Sequence, residues 1–310
     1  MNALDFFTKT YGLLRNYRAI PFWVLTPFRR IVRYSASRLL PMHLTYFHPK
    51  IGTIETDVIV SFTSFPARIN EVWQVVKSLK NQSLLPEKII LWLSEEQFPN
   101  RQGIPETLWK EVDNLFEIRM VEGDIRSHKK FYYVMQEYPE KTFVTCDDDI
   151  YYHPDTLKCL VECSKRFPGC VITNTARQIT FDELGQLKPY NDWRKEQERY
   201  ASTNLIQIGV GGVLYPPKAL HELTLRKDLF LSLTPMADDI WLNCMARLNN
   251  TPVVKSAMRL LPLPIRNDSP SLSAENKGEN KNDIQLSELK NYLNRMGITD
   301  VYTPEFNIAY

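Results

Sequence analysis

Asp147, Asp148 and Asp149 stand in a row directly after an apolar, β-prone run at residues 142–146. Side chains alternate along an extended chain, so Asp147 and Asp149 share one side and offer two hard oxygen ligands, the chemistry of a divalent cation. An acidic surface turn is the plainer explanation of such a run. Its position at the end of a strand tells against that, because an α/β sheet builds its site there, and a cation relieves repulsion between crowded carboxylates. A second acid pair, Asp238 and Asp239, opens a stretch whose apolar positions Trp241, Met245 and Leu248 recur at helical spacing. One aspartate suffices as a cap, so the other is free, and a helix N-terminus keeps its carboxylate ionised and able to take a proton. Lys130 and its neighbour Lys129 fall near the start of another expected helix, where a phosphate is favoured; a solvated surface role is the competing reading. Gly209, Gly211 and Gly212 would let backbone approach a ligand closely, or simply make a tight turn.

The elements that must position these groups alternate. Residues 57–65 (DVIVSFTSF), 88–93 (KIILWL), 117–121 (EIRMV) and 142–146 read as strands, the first ending in small polar residues as a strand opening into a functional loop does. Between them the sequence predicts a helix capped by Asn70 with Val72, Trp73, Val76 and Leu79 inward, a helix at 105–115, and one at 126–138 burying Phe131, Val134, Met135 and Tyr138. Pro154 suits the first position of the next helix, which buries Leu157, Leu160, Val161 and Phe167. Residues 205–210 and 213–215 read as further strand segments; Ser287 suits the cap of a last helix ended by Gly297. Repeated β-α units predict an α/β fold with a doubly wound, mostly parallel sheet whose ligands bind at the carboxyl ends of the strands.

Composition bounds the rest. The 310 residues carry 38 basic and 36 acidic side chains, too even a balance for a dedicated nucleic-acid binder, and are 44% hydrophobic, ample for a buried core. Five scattered cysteines without a CxxC pair argue against a disulfide framework or zinc site and for reduced thiols in a cytoplasm; Cys159 and Cys163 read as helix core. The isolated His128 and His153 are assigned no role. Residues 1–45 hold seven basic side chains against Asp5 alone, interleaved with aromatics. No apolar run there is long enough to span a bilayer, and no signal-peptide order is present. The segment suits either an anionic lipid surface or packing on the protein's own body.

The ordered set SFTSFPARI, SHKKFYYVMQEYP, VTCDDDI, GVGGVLYP and ADDIWL resembles bacterial glycosyltransferases of the GT-A fold from capsule and lipopolysaccharide assembly clusters, over roughly residues 55–290. The resemblance implies a nucleotide-diphosphate-sugar donor, with UDP favoured, and a DxD motif holding Mn²⁺ or Mg²⁺ on the diphosphate. The acceptor would be an oligosaccharide or lipid-linked glycan. By match to that motif Asp149 would bind the metal, Asp147 would face the ribose or a metal-bound water, and Asp148 would help set the geometry. Thr63, Ser64 and Arg68 fall in the nucleoside-binding part, Asp124 could accept a hydrogen bond from the base, and Lys129 and Lys130 could meet phosphate. Gly211 and Gly212 would lie beside donor sugar and acceptor. Asp239 matches the second acid of the family's pair and is the expected general base, with Asp238 in reserve. No histidine follows His221, which favours inversion over retention. On this reading residues 1–50 form a basic segment ahead of a domain at 51–300. Within it, 55–150 bind the nucleotide sugar, 151–262 form the acceptor side, 263–285 a mobile loop and 286–297 a helix, before a tail at 298–310. The enzyme would work in the cytoplasm, peripheral on the inner face of the membrane.

Two other classes compete. A sugar nucleotidyltransferase would also use carboxylates and Mg²⁺, but needs a glycine- and arginine-rich phosphate loop near the first strand, where SFTSFPARI has no glycine. A catalytically inactive glycan-binding protein has no need of both acid clusters.

Overall fold

The computed structural model describes residues 2–16, 22–46, 53–260, 262–265, 280–299 and 301–304. In chain order the elements are α1 (Ala3–Asn16), α2 (Phe22–Tyr46), β1 (Thr53–Thr63), α3 (Val72–Lys80), β2 (Leu84–Ser94), α4 (Glu106–Trp109), β3 (Phe116–Val121), α5 (Lys129–Glu137), β4 (Thr142–Thr145), β5 (Ile150–Tyr151) and α6 (Thr156–Arg166). There follow β6 (Val171–Thr173), β7 (Ala176–Gln178), β8 (Arg194–Glu196), β9 (Ala201–Ser202), β10 (Leu205–Gln207), β11 (Val213–Tyr215), α7 (Lys227–Leu233), α8 (Asp238–Leu248), β12 (Val253–Lys255), β13 (Leu263–Pro264) and α9 (Lys281–Arg295).

The fold is α/β, as the strand and helix periodicities predict. Its centre is an eight-stranded sheet in the order β3-β2-β1-β4-β11-β6-β12-β9. The four pairings β3 to β2, β2 to β1, β1 to β4 and β6 to β12 are parallel, while β11 runs antiparallel between β4 and β6. Strands with helices on both sides must be apolar on both faces, and the side chains sort accordingly. Val58, Val60 and Phe62 of β1 join one core with Ile89 and Leu91 of β2 and Leu160 of α6. Ile59, Ile90 and Trp92 point the other way, to Phe131 and Val134 of α5 and Trp241 of α8. Phe131 is fully buried; truncating such a side chain to alanine costs about 3 to 5 kcal/mol. The buried Ser61 hydroxyl pins layers together, accepting from Trp92 Nε1 (2.9 Å) and donating to the Lys130 carbonyl (2.5 Å).

Several boundaries differ from expectation. Helix α3 has Glu71, not Asn70, at its cap position, with no side-chain capping bond. The stretch expected to be helical at 105–115 keeps only the single turn α4, because Asp113 caps the following loop, accepting from Leu115 N and Phe116 N at 2.9 Å each. The cap of α6 is Asp155, so Pro154 precedes the helix. The last helix begins at Lys281 rather than after Ser287, while Gly297, at φ +75°, does terminate it. Of the loop expected at 263–285, residues 266–279 lie outside the described residues. Beyond α9, Val301 and Tyr302 are buried, and the Val301 carbonyl accepts from the buried Arg247 (2.5 Å).

The amino-terminal helices pack on the body. Leu4, Phe7 and Tyr11 of α1 and Ala36, Leu40 and Leu44 of α2 belong to the same core as β1. Asp5 of α1 sits 2.9 Å from His153, and Gly12 lies so close to Leu260 that a Cβ there would come within 3.0 Å. Among the described residues no helix is long and apolar enough to cross a membrane.

Candidate active site

Parallel strands deliver their carboxyl ends to one edge, and a cavity of about 870 Å³ opens there. Its walls come from the loops after β1, β3 and β4, the start of α5, the segment between β10 and β11, and the start of α8.

The acid triplet follows β4. Asp147 is placed by its backbone, whose N–H donates to the Tyr152 hydroxyl (2.6 Å). Its carboxylate meets Lys130 Nζ at 2.5 Å. Asp148 turns inward, accepting from Ser64 Oγ (2.6 Å) and Arg68 Nη1 (2.7 Å). The same guanidinium lies 3.1 Å from Asp149 Oδ2. Burial pushes Asp149 up to about 6, helped by Asp147 and opposed by Arg68. Each acid of the triplet thus has a basic partner, Lys130 for Asp147 and Arg68 for both Asp148 and Asp149, and Asp148 is the most buried of the three.

The second acid pair faces the first. Ala237 occupies the α8 cap position, so Asp238 and Asp239 both lie in the first turn, and neither caps as the sequence had suggested. Lys130 Nζ is 3.7 Å from Asp238 Oδ2, which makes this lysine the bridge between the clusters. Burial works against its charge, yet Asp147 and Asp238 hold it well above the ordinary lysine range. Burial likewise disfavours ionised Asp238, but Lys130 and His128 outweigh it and keep that carboxyl below its usual value. Both oxygens of Asp239 accept from the Gly209 N–H at 3.0 Å and Lys130 also favours its charge, but burial with Asp238 beside it outweighs them and pushes the carboxyl up to about 8, against the ionised carboxylate expected at a helix N-terminus. A Cβ on Gly209 would lie 3.1 Å from Asp239 Oδ1 and 3.7 Å from Asp147 Oδ1, so the backbone here passes closely between the two clusters and a side chain would press on Asp239.

The remaining expected residues divide. Lys129 and Lys130, for which a solvated surface was an equal alternative, are both largely buried. Lys129 pairs with Asp124, which also accepts from Gln97 Nε2 (2.8 Å) and Arg126 N (2.9 Å). Burial lowers Lys129 while Asp124 opposes the shift. Thr63 reaches the cavity wall but donates its hydroxyl to the Trp92 carbonyl (2.7 Å). Gly211 and Gly212 do not line the cavity: at φ +100° and +94° they turn the chain, and Cβ atoms there would press on Pro262 and Leu160 at 3.3 Å. Gly209 and Val210 line it instead. Gln97, Arg177, Tyr190 and Lys255 also line the cavity and carry no local sequence signal that singles them out. His128 and His153 are structural: His128 Nε2 bonds the Thr234 carbonyl (2.9 Å) under the Phe230 ring.

Among the described residues no group of three or more His, Cys, Asp or Glu side chains is arranged as a self-contained metal cage. Asp147 and Asp149 nevertheless suit a magnesium-like ion, which takes one or two carboxylates and completes its shell with substrate phosphates and water. Burial, with Asp147 beside it, raises Asp149, and a bound cation would favour its ionised form.

Fold and site together define an α/β protein with two facing acid clusters, bridged by a lysine, at the carboxyl edge of a mostly parallel sheet. No family model and no curated protein matches the chain. Solved structures with partial likeness include TarS 1–349 of S. aureus, in complex with UDP-GlcNAc, at 11% identity and a TM-score of 0.46 over 71% of this chain and 61% of that one. They also include a UDP-glucose pyrophosphorylase (10% identity, TM-score 0.38, 79% of this chain and all of that one) and HddC of Yersinia pseudotuberculosis (14%, 0.33, 53% and 77%). Likeness of this extent carries no argument about chemistry; the reading that follows rests on the site's own geometry.

Proposed function

We propose that the protein is a glycosyltransferase that moves a sugar from a nucleoside diphosphate, UDP by resemblance, to a glycan hydroxyl, with inversion. The observation that carries this is the opposition of Asp239 to the Asp147–Asp149 cluster across Gly209. Transfer from a sugar diphosphate needs two things at once: charge neutralisation at the departing phosphates and a base for the incoming hydroxyl. Mn²⁺ or Mg²⁺ held by Asp149 and Asp147 would supply Lewis-acid neutralisation of the diphosphate. Lys130, already bridging Asp147 and Asp238, adds fixed positive charge beside that position. Arg68 and Ser64 hold Asp148 and so set the turn from which Asp147 and Asp149 project. Asp239, buried and raised to about 8, is a proton acceptor matched to near-neutral pH, and the Gly209 N–H orients both its oxygens. Asp238 keeps its charge on Lys130 and is the poorer acceptor.

Nucleotidyl transfer is the less favoured reading. It would need a free phosphate cradle after β1, whereas Arg68 there is engaged with Asp148 and Asp149 and the loop is glycine-free.

Calorimetric titration of UDP, GDP, dTDP and CMP, each with and without Mn²⁺, tests the donor half. Metal-dependent binding of one nucleoside diphosphate, lost in Asp149→Asn, is expected; unchanged binding in that variant removes the metal assignment. Incubation with the matching nucleotide sugar then separates the reactions, since glycosyl transfer or hydrolysis releases the nucleoside diphosphate whereas nucleotidyl chemistry consumes or releases pyrophosphate.

A further inference from the structure

Helix α2 has two apolar faces and only one of them is covered. Leu25, Ala36, Leu40 and Leu44 are buried against the body. On the far side Trp23 (75% exposed), Phe28, Ile31, Tyr34, Leu39, Met42 and Tyr46 stand open, and with Phe6 and Leu13 of α1 they make nine of the fifteen large exposed apolar side chains among the described residues. At 3.6 residues per turn those α2 positions form one continuous stripe along a helix of 25 residues, about 37 Å long. Arg30 and Arg38 are exposed on the same side, Arg38 stacking on the Tyr34 ring, and residues 22–46 contain no aspartate or glutamate.

We propose that this outer face of α2 lies flat on an anionic lipid bilayer. Aromatic and aliphatic side chains interleaved with arginines, without acids, match the chemistry of an interface whose interior is apolar and whose headgroups are negative. A second copy of the chain would bring the same arginines toward one another, which disfavours a self-pairing face. The helix cannot cross the bilayer, so it lies along it. Arg33, which shares the inward side of α2 with Ala36 and Leu40, lines the cavity, so one helix borders both the cavity and the proposed lipid surface. A membrane-borne acceptor follows from that placement; this clause rests on the transferase reading, and the docking itself does not.

The test is co-sedimentation of the full chain with vesicles of phosphatidylcholine alone or mixed with phosphatidylglycerol. Binding to the anionic vesicles, weakened by salt, is expected. Arg30→Gln with Arg38→Gln lowers partition roughly 25-fold, at about fivefold per arginine near an anionic surface. Ile31→Glu with Met42→Glu abolishes it, while melting temperature and nucleotide binding stay at wild-type values because these side chains touch neither core nor cavity. Failure to bind anionic vesicles, or binding that both pairs leave unchanged, overturns the proposal. So does a concentration-dependent dimer that the Glu pair dissolves, which would assign the face to a second copy. Nucleotide binding is read separately, so loss of the transferase reading leaves the vesicle result interpretable.

Discussion

Lys130 Nζ sits 2.5 Å from Asp147 Oδ1, so the first turn of α5 is tied to the acid triplet beyond β4, and through the same nitrogen to Asp238. One cation therefore holds three elements in register at the place where two acid clusters face each other.

Lys130→Met leaves these carboxylates without their counter-charge in a largely buried setting. Stability should fall by about 3 kcal/mol in urea titration, the usual cost of breaking a buried pair. Adding Asp147→Asn to Lys130→Met should return part of that loss, because the orphaned charge goes with it; additive losses would show that the two groups are not coupled.

Asp239→Asn keeps an oxygen to accept from the Gly209 N–H but cannot take a proton. Transfer should drop about 10²- to 10⁴-fold with nucleotide affinity retained. In the wild-type protein the basic form predominates above the group's pKa, pushed up to about 8, so on the proposed reaction the rate should rise with pH toward that value. A rate flat from pH 6 to about 8 would remove Asp239 from the role.

The two kinds of glycine in the β10 to β11 segment should separate cleanly. Gly209→Ala drives a methyl to 3.1 Å from Asp239 Oδ1, so transfer should fall at least about tenfold while stability changes by less than about 1 kcal/mol. Gly212→Ala places a side chain at φ +94° against Leu160 and should cost about 1 to 3 kcal/mol of stability with nucleotide binding preserved. Urea titration and calorimetry on both variants read the contrast.

His128 ties stability to acid. Burial pushes its folded-state value down to about 4 from an ordinary 6.5, so the unfolded chain binds the extra proton first as pH falls. The contribution is full above about 6.5 and is lost as pH drops toward 4, roughly 3 kcal/mol in all. His128→Phe should flatten the slope of urea midpoint against pH across that window; an unchanged slope would place the titrating group elsewhere.

Much of this architecture was legible in the chain. β1 and β2 announce themselves because strands buried on both faces need unbroken apolar runs, and the acid triplet is readable because it follows such a run. Pairing between distant segments left no local trace. Nothing near Val213 says that β11 enters the sheet between β4 and β6, and nothing near Lys130 says that its partner is Asp147. Caps were misplaced at Asn70 and Ser287, where a polar residue of the right type stood close to a helix whose start was fixed by packing. The glycine that matters to the site, Gly209, was not separable from Gly211 and Gly212, since only the tertiary position of Asp239 distinguishes it.

The late arrival of β11 also sets a timetable for synthesis. Thr145 pairs with Val213, so the edge of β4 that leads into the three aspartates stays open until roughly seventy further residues have left the ribosome. Until then the nascent chain presents an unpaired strand flanked by apolar side chains, the kind of surface that chaperones cover. The acid cluster thus meets its facing pair only once β11 and α8 have both been made, and a chain halted before β11 would hold the first half of the sheet without a finished site.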